Sequence, residues 1–217
     1  MKLTMLKTNV VVTASVHNPS VLHPEFLKSQ GIVTGVDLVE PPICTPAFAS
    51  VKYKNGLAFA VTAGRMDITD TKLESDFTSS EAPSVAIKYI QVLPHVRYTG
   101  VGINFTGLIE CPAPGEFLIN KFLKPGDWNS DTLKVKDLNL KLSYDVPGAV
   151  FGFTCLVAKV SHPSFGDKYG IVVEGNYHTD LSKEAVPVEA SEQAINLYRE
   201  RHTHFLDSTK RIMGLES

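Results

Sequence analysis

Residues 127–131, Asp-Trp-Asn-Ser-Asp, begin like a calcium-binding loop, with side-chain oxygens at alternate positions. A hard divalent cation held this way also needs glycine at the sixth position and a bidentate glutamate at the twelfth. Thr132 and Leu138 stand there instead, so the segment reads as a polar turn. His202 and His204 lie two apart on a helical pattern and point about 200° apart, which prevents them from gripping one ion. Glu200 and His204 could share a helix face, but two ligands do not close a site. Cys155 sits among Phe151, Phe153 and Val157 and reads as core. Cys111, beside Pro112, shows neither the base nor the cationic setting that turns a thiol into a nucleophile. Asp67, Asp70, Glu74 and Asp76, with Arg65 nearby, form an acidic stretch whose spacing does not select an acid–base pair over a solvated surface. No glycine-rich phosphate loop, nucleophile elbow or zinc spacing occurs. The reading therefore leans to a non-enzymatic chain with no metal and no cofactor.

One run does ask for a reason. Tyr98, Gly100, Gly102, Asn104 and Thr106 alternate along a strand pattern, opposite Val101, Ile103 and Phe105. Glycine inside a strand weakens it and marks a bulge, a bend or a close approach of another group. Helix packing on a curved sheet, or a plainly exposed face, would account for it. So would a groove that admits a ligand or a partner's backbone. In the second case Tyr98, Gly100, Gly102 and Asn104 would line it, with Tyr198, His202 and Phe205 facing them from the C-terminal helix.

These residues need elements to hold them. Val10, Val12, Ala14 and Val16 recur at period two and indicate a first strand over residues 6–16. Pro24 to Gln30 predicts a short helix, and residues 31–46, with Pro41, Pro42 and Pro46, an irregular connection. Two alternating runs, Ala47 to Lys54 and Leu57 to Arg65, flank Asn55-Gly56, a strong hairpin signal in which both turn residues take positive φ. A further strand covers Arg65 to Thr71. Ala86, Tyr89, Ile90 and Leu93 give one apolar helix face, entered near Ser80 and ended by Pro94. The second half begins with a strand over residues 96–109 and a short helix over 114–123. A strand follows through Leu138, Leu140, Leu142 and Tyr144, with a bulge expected at Lys136-Asp137. The run from Ala149 to Val160 is apolar on both faces and suggests a doubly covered central strand. Tyr169 to Thr179 alternates, and Pro187 to Met213 predicts one helix of roughly 37 Å.

The result is an α+β chain: a mainly antiparallel curved sheet of about seven or eight strands, with two longer helices on one face. Residues 1–217 read as a single domain with pseudo-repeat halves, 1–94 and 95–217, each ordered strand, short helix, three strands, helix. That order resembles the duplicated saddle of the TATA-binding-protein fold and its helix-grip relatives. The resemblance covers most of the chain and is carried by element order alone, so it implies a curved sheet with helices on one side and transfers no site residue. An α+β sandwich without duplication fits equally.

The chain has 217 residues, a net charge of −2 and three scattered cysteines, Cys44, Cys111 and Cys155. Odd, scattered cysteines argue for a reducing, cytoplasmic setting. The charge argues against nucleic acid as a partner, and no apolar run approaches a membrane span. Two readings stay open. One is a binding or assembly module acting through a sheet face or helix surface, with a protein partner or a second copy in a homodimer. The other is a small-molecule binder or enzyme with a pocket between the sheet and the C-terminal helix.

Overall fold

A computed structural model describes residues 1–72, 77–130, 132–162 and 164–215. Nine strands form one open antiparallel sheet. They are β1 (Leu3–Ala14), β2 (Ile43–Cys44), β3 (Phe48–Lys52), β4 (Leu57–Thr62), β5 (Arg65–Asp70), β6 (Tyr98–Glu110), β7 (Leu140–Val146), β8 (Ala149–His162) and β9 (Gly166–Asp180). The extra strand is β2, a two-residue piece within the proline-rich connection. The spatial order is β2-β3-β4-β5-β1-β6-β9-β8-β7. Outward from the β1–β6 pair it reads first, fourth, third, second in each half, setting aside β2.

The helices are α1 (Pro24–Ser29), α2 (Ala82–Val92), α3 (Pro114–Phe122), α4 (Pro187–Asn196) and α5 (Tyr198–Met213). Proline opens α1 through α4 within the first two positions, where its missing N–H costs nothing. Gly214, at φ 67°, ends α5 in the left-handed region, and Leu215 N–H donates back to Lys210 O at 2.9 Å. All five helices contribute to one core on one sheet face: Leu27, Tyr89, Leu118, Ile195 and Phe205 meet Val10, Phe59, Ile68, Phe105, Phe153 and Val173.

Four expectations are corrected. The residues 187–213 form two helices: Leu197, at φ −73° and ψ 1°, interrupts them, so α4 packs against α2 and β6 while α5 lies over β6 and β9. The run 149–160 is not doubly covered. β8 is the penultimate strand, and its second face carries Gly152, Thr154 and Leu156, half-buried. No bulge forms at Lys136-Asp137, because β7 begins only at Leu140. The Asn55-Gly56 hairpin forms, but only Gly56 has positive φ, at 93°. Tyr53 and Leu57 close a three-residue loop with Gly56 as its left-handed member, and Asn55 Oδ1 accepts from Leu57 N–H.

His17, just past β1, is buried at 2% exposure and packs against the Tyr98 ring. Its Nε2 lies 3.1 Å from Val12 O, while Nδ1 has no hydrogen-bond partner among the described residues. Nε2 must carry the proton to meet a carbonyl, so charging the ring would bury an unsatisfied Nδ1–H. Burial accordingly lowers the His17 pKa below its ordinary value, against the smaller opposing pull of Val12 O. The unfolded chain then binds the extra proton more readily, so stability present above about pH 6.5 falls as pH drops through that value toward the folded pKa. Urea midpoints of the wild type and of His17→Gln, compared at neutral and mildly acidic pH, should show a shallower acid loss in the variant.

Candidate functional site: the open face of the sheet

The sheet face away from the helices presents the opposite set of side chains. On it, register brings three asparagines into line: Asn9 of β1 opposes Asn104 of β6, which opposes Asn176 of β9. Arg65 of β5 begins the line. Its Nε and Nη2 donate to the Asp67 carboxylate at 2.6 and 2.5 Å. That bidentate bond raises the Arg65 pKa and locks the fork in place. Asn9 Nδ2 donates to Asp67 Oδ1 at 3.0 Å. Asn104 Nδ2 donates to Asn9 Oδ1 at 2.5 Å, and Asn176 Nδ2 donates to Asn104 Oδ1.

The direction of this chain is dictated by chemistry. An ionised carboxylate can only accept, so Asn9 must turn its amide nitrogen toward Asp67. Asn9 Oδ1 then faces Asn104, and the same logic passes to Asn176. Each amide uses one of its two N–H donors across the strands. The line ends on Asn176 Oδ1, an acceptor beside Gly152 of β8. Four strands are thus stitched by a polarised row of side chains, which fixes the rotamers of groups that would otherwise swing freely on an exposed face.

Around the row lies an open groove of about 660 Å³, bounded by Lys7, Thr106, Lys141, Thr154, Glu174 and His178. Its floor is kept low by glycine. A Cβ at Gly102 would meet Val11 Cβ at 3.4 Å and otherwise little, and one at Gly152 would find only contacts of 3.8 Å or more. Gly100 differs: a Cβ there would stand 2.9 Å from Thr13 Oγ1 and 3.2 Å from Thr179 O, a close approach between strands. Asp67 neutralises Arg65, so among the described residues the rim charges without an ion pair are Lys7 and Lys141 against Glu174, an excess of one cation. Toward the other end of the same face Leu6, Leu108 and Val172 form a small separate apolar cluster.

The six residues singled out from the sequence fall on both sides of the sheet. Gly102 and Asn104 line the groove, while Gly100 lies on the same sheet face but beneath Thr13 and His178. Tyr98 does not join them, because Thr13 pairs with Gly100 while Ala14 pairs with Tyr98. Thr99 is therefore the extra residue of a bulge, and the alternation skips across it. Tyr98 turns into the helical layer, where its hydroxyl donates to Leu93 O at 3.0 Å and burial raises its pKa. Tyr198 and His202 lie on that side too, both within 3% exposure. Tyr198 donates to Phe77 O at 2.7 Å, and His202 meets the edge of Phe105. Phe205 is stacked on Phe105, which fills the layer beside Tyr198, whereas His202 also borders a pocket of about 410 Å³ between β1 and α5 with Leu3, Met5 and Leu206.

Asn9 and Asn176 escaped the sequence reading. Each sits in an alternating run, but only the register shows that they meet. Asp67 read as solvated surface and is instead the acceptor that orients the row. Glu74, Asp76 and Asp131 lie outside the described residues. Among the described residues no group of three or more metal-ligating side chains converges, and no helix is long and apolar enough to cross a membrane. A scan against protein-family models and a search of curated proteins both find no match for the chain.

Proposed function

We propose that this chain is a non-enzymatic binding module whose ligand lies in the groove on the open sheet face. The observation that carries this reading is the row Arg65–Asp67–Asn9–Asn104–Asn176. A row of oriented amides on a glycine-cleared floor is costly in a strand and gains the fold little, yet it holds N–H donors in a fixed line. Donors beside Lys7 and Lys141 suit a polar ligand with acceptor oxygens and an anionic group. The volume falls in the range of small-molecule sites. The mirrored strand order supports a duplicated saddle, with the β1–β6 pair at its centre. Three free cysteines support a reducing compartment.

Citrate and glucose 6-phosphate are suitable probes, with glucose as the neutral control. Titrated into nitrogen-15-labelled protein, at least one anion should shift the side-chain amide signals of Asn9, Asn104 and Asn176, with dissociation constants of about 1 mM or tighter. Gly102→Leu, which fills the floor, should abolish the shift. Silence from both anions, or shifts that survive Gly102→Leu, would refute the reading.

Breaking the row should have a moderate structural effect. Asn104→Leu leaves Asn9 Oδ1 half-buried without its donor and the Asn176 amide exposed to water, and an expected loss of about 0.5–1 kcal/mol follows from urea unfolding.

A further inference from the structure

Strand β7 ends the sheet. Its inner side pairs with β8 in unbroken register from Leu140 to Val146, and among the described residues no strand pairs with its outer side. All seven of its residues are exposed or half-exposed. Protein edges are usually blunted by charged side chains, proline, bulges, short length or a covering element, and β7 carries two charges, Lys141 and Asp145. β7 contains no proline and no register shift. Its tip is held firmly: Arg201 Nη2 donates to Pro147 O at 2.5 Å, with its guanidinium over the Tyr177 ring.

The sequence of β7 is Leu-Lys-Leu-Ser-Tyr-Asp-Val. Laid antiparallel against a copy of itself and centred on Ser143, it is self-complementary. Lys141 stands opposite Asp145 twice, on the open face. Leu142 stands opposite Tyr144 twice, on the helix face, and Leu140 opposite Val146. Neither Lys141 nor Asp145 has an ion-pair partner among the described residues. The alternatives are worse. A shift by one residue would set open-face side chains against helix-face ones. A shift by two would set Lys141 against Ser143 and lose both ion pairs. Either phase of backbone hydrogen bonding is compatible with the centred register, because Ser143 meets its own copy whether or not that pair exchanges bonds.

We propose that β7 pairs antiparallel with β7 of a second copy, continuing the sheet across a two-fold axis. Such an interface is isologous, the commonest form of homodimer. It would also extend the groove, since Lys141 and Ser143 line its β7 side, and it would pair Lys141 with the partner's Asp145, leaving Lys7 as the rim cation for an anion.

Sedimentation and light scattering on the full chain test this directly. The wild type should dimerise with a roughly micromolar dissociation constant. Asp145→Lys alone, or Lys141→Asp alone, places like charges opposite each other twice and should weaken the dimer about tenfold or more. The double variant Lys141→Asp/Asp145→Lys restores opposite charges and should recover most of that loss. Both side-chain changes are on the surface, and circular dichroism checks that each of the three variants is folded. A wild type that stays monomeric at high micromolar concentration would overturn the proposal. So would a dimer indifferent to the single reversals, or a double variant no better than the singles. None of these outcomes depends on whether a small anion enters the groove.

Discussion

Phe105→Ala is expected to destabilise the fold by about 3–5 kcal/mol, the range for a fully buried aromatic cut to a methyl group. Phe105 is wholly buried and stands at the centre of an aromatic cluster. Its ring stacks on Phe205 at 5.5 Å, meets Tyr198 at 5.3 Å, and makes edge contacts with Tyr177 and His202. These partners come from β9 and α5, so the ring ties the β6–β9 pair to the last helix. The site cannot collapse readily. Tyr198 and Tyr177 are each held by a hydrogen bond, to Phe77 O and to His204 Nδ1 at 2.7 Å. A cavity should therefore persist, placing the loss toward the upper part of the range. Urea or thermal unfolding measures it, and a loss below about 1 kcal/mol would mean that the ring is not the keystone of this layer.

Most of the architecture was legible because its signals are local. Period-two alternation located most of the eight longer strands and an apolar run located β8, while prolines and apolar periodicity located the helices but not the break between α4 and α5. Three failures share a cause: each depends on neighbours that a single segment does not reveal. The apolar run 149–160 looked central, yet its second face is merely half-buried beside the polar groove. The C-terminal periodicity continued through Leu197, but α4 and α5 follow different partners. The bulge at Thr99 inverted Tyr98, which divided a strand face that alternation had made continuous. The site was half legible. Gly102 and Asn104 advertised an odd strand face, whereas the row through Asn9 and Asn176 exists only once register is known. A carboxylate that orients three amides one to three strands away leaves no trace in spacing.

Two glycines on adjacent strands test which sheet face is filled and which is open. Gly175 of β9 faces the helices, and a Cβ there would stand 2.4 and 2.8 Å from Phe205 ring carbons and 3.3 Å from Phe151. Phe205 cannot give way, because it is fully buried and pressed against Phe105. Gly175→Val should therefore cost about 3 kcal/mol or more, at or above the upper end of ordinary overpacking. Gly102 of β6 faces the groove, where its nearest neighbour to a new Cβ is at 3.4 Å. Gly102→Val should be neutral or slightly stabilising, because valine suits a strand and restricts the unfolded chain. The same substitution thus separates stability from binding, with loss of fold on one face and loss of anion-induced amide shifts on the other. Equal destabilisation by both changes would show that the open face is packed rather than grooved, and the binding reading would fall with it.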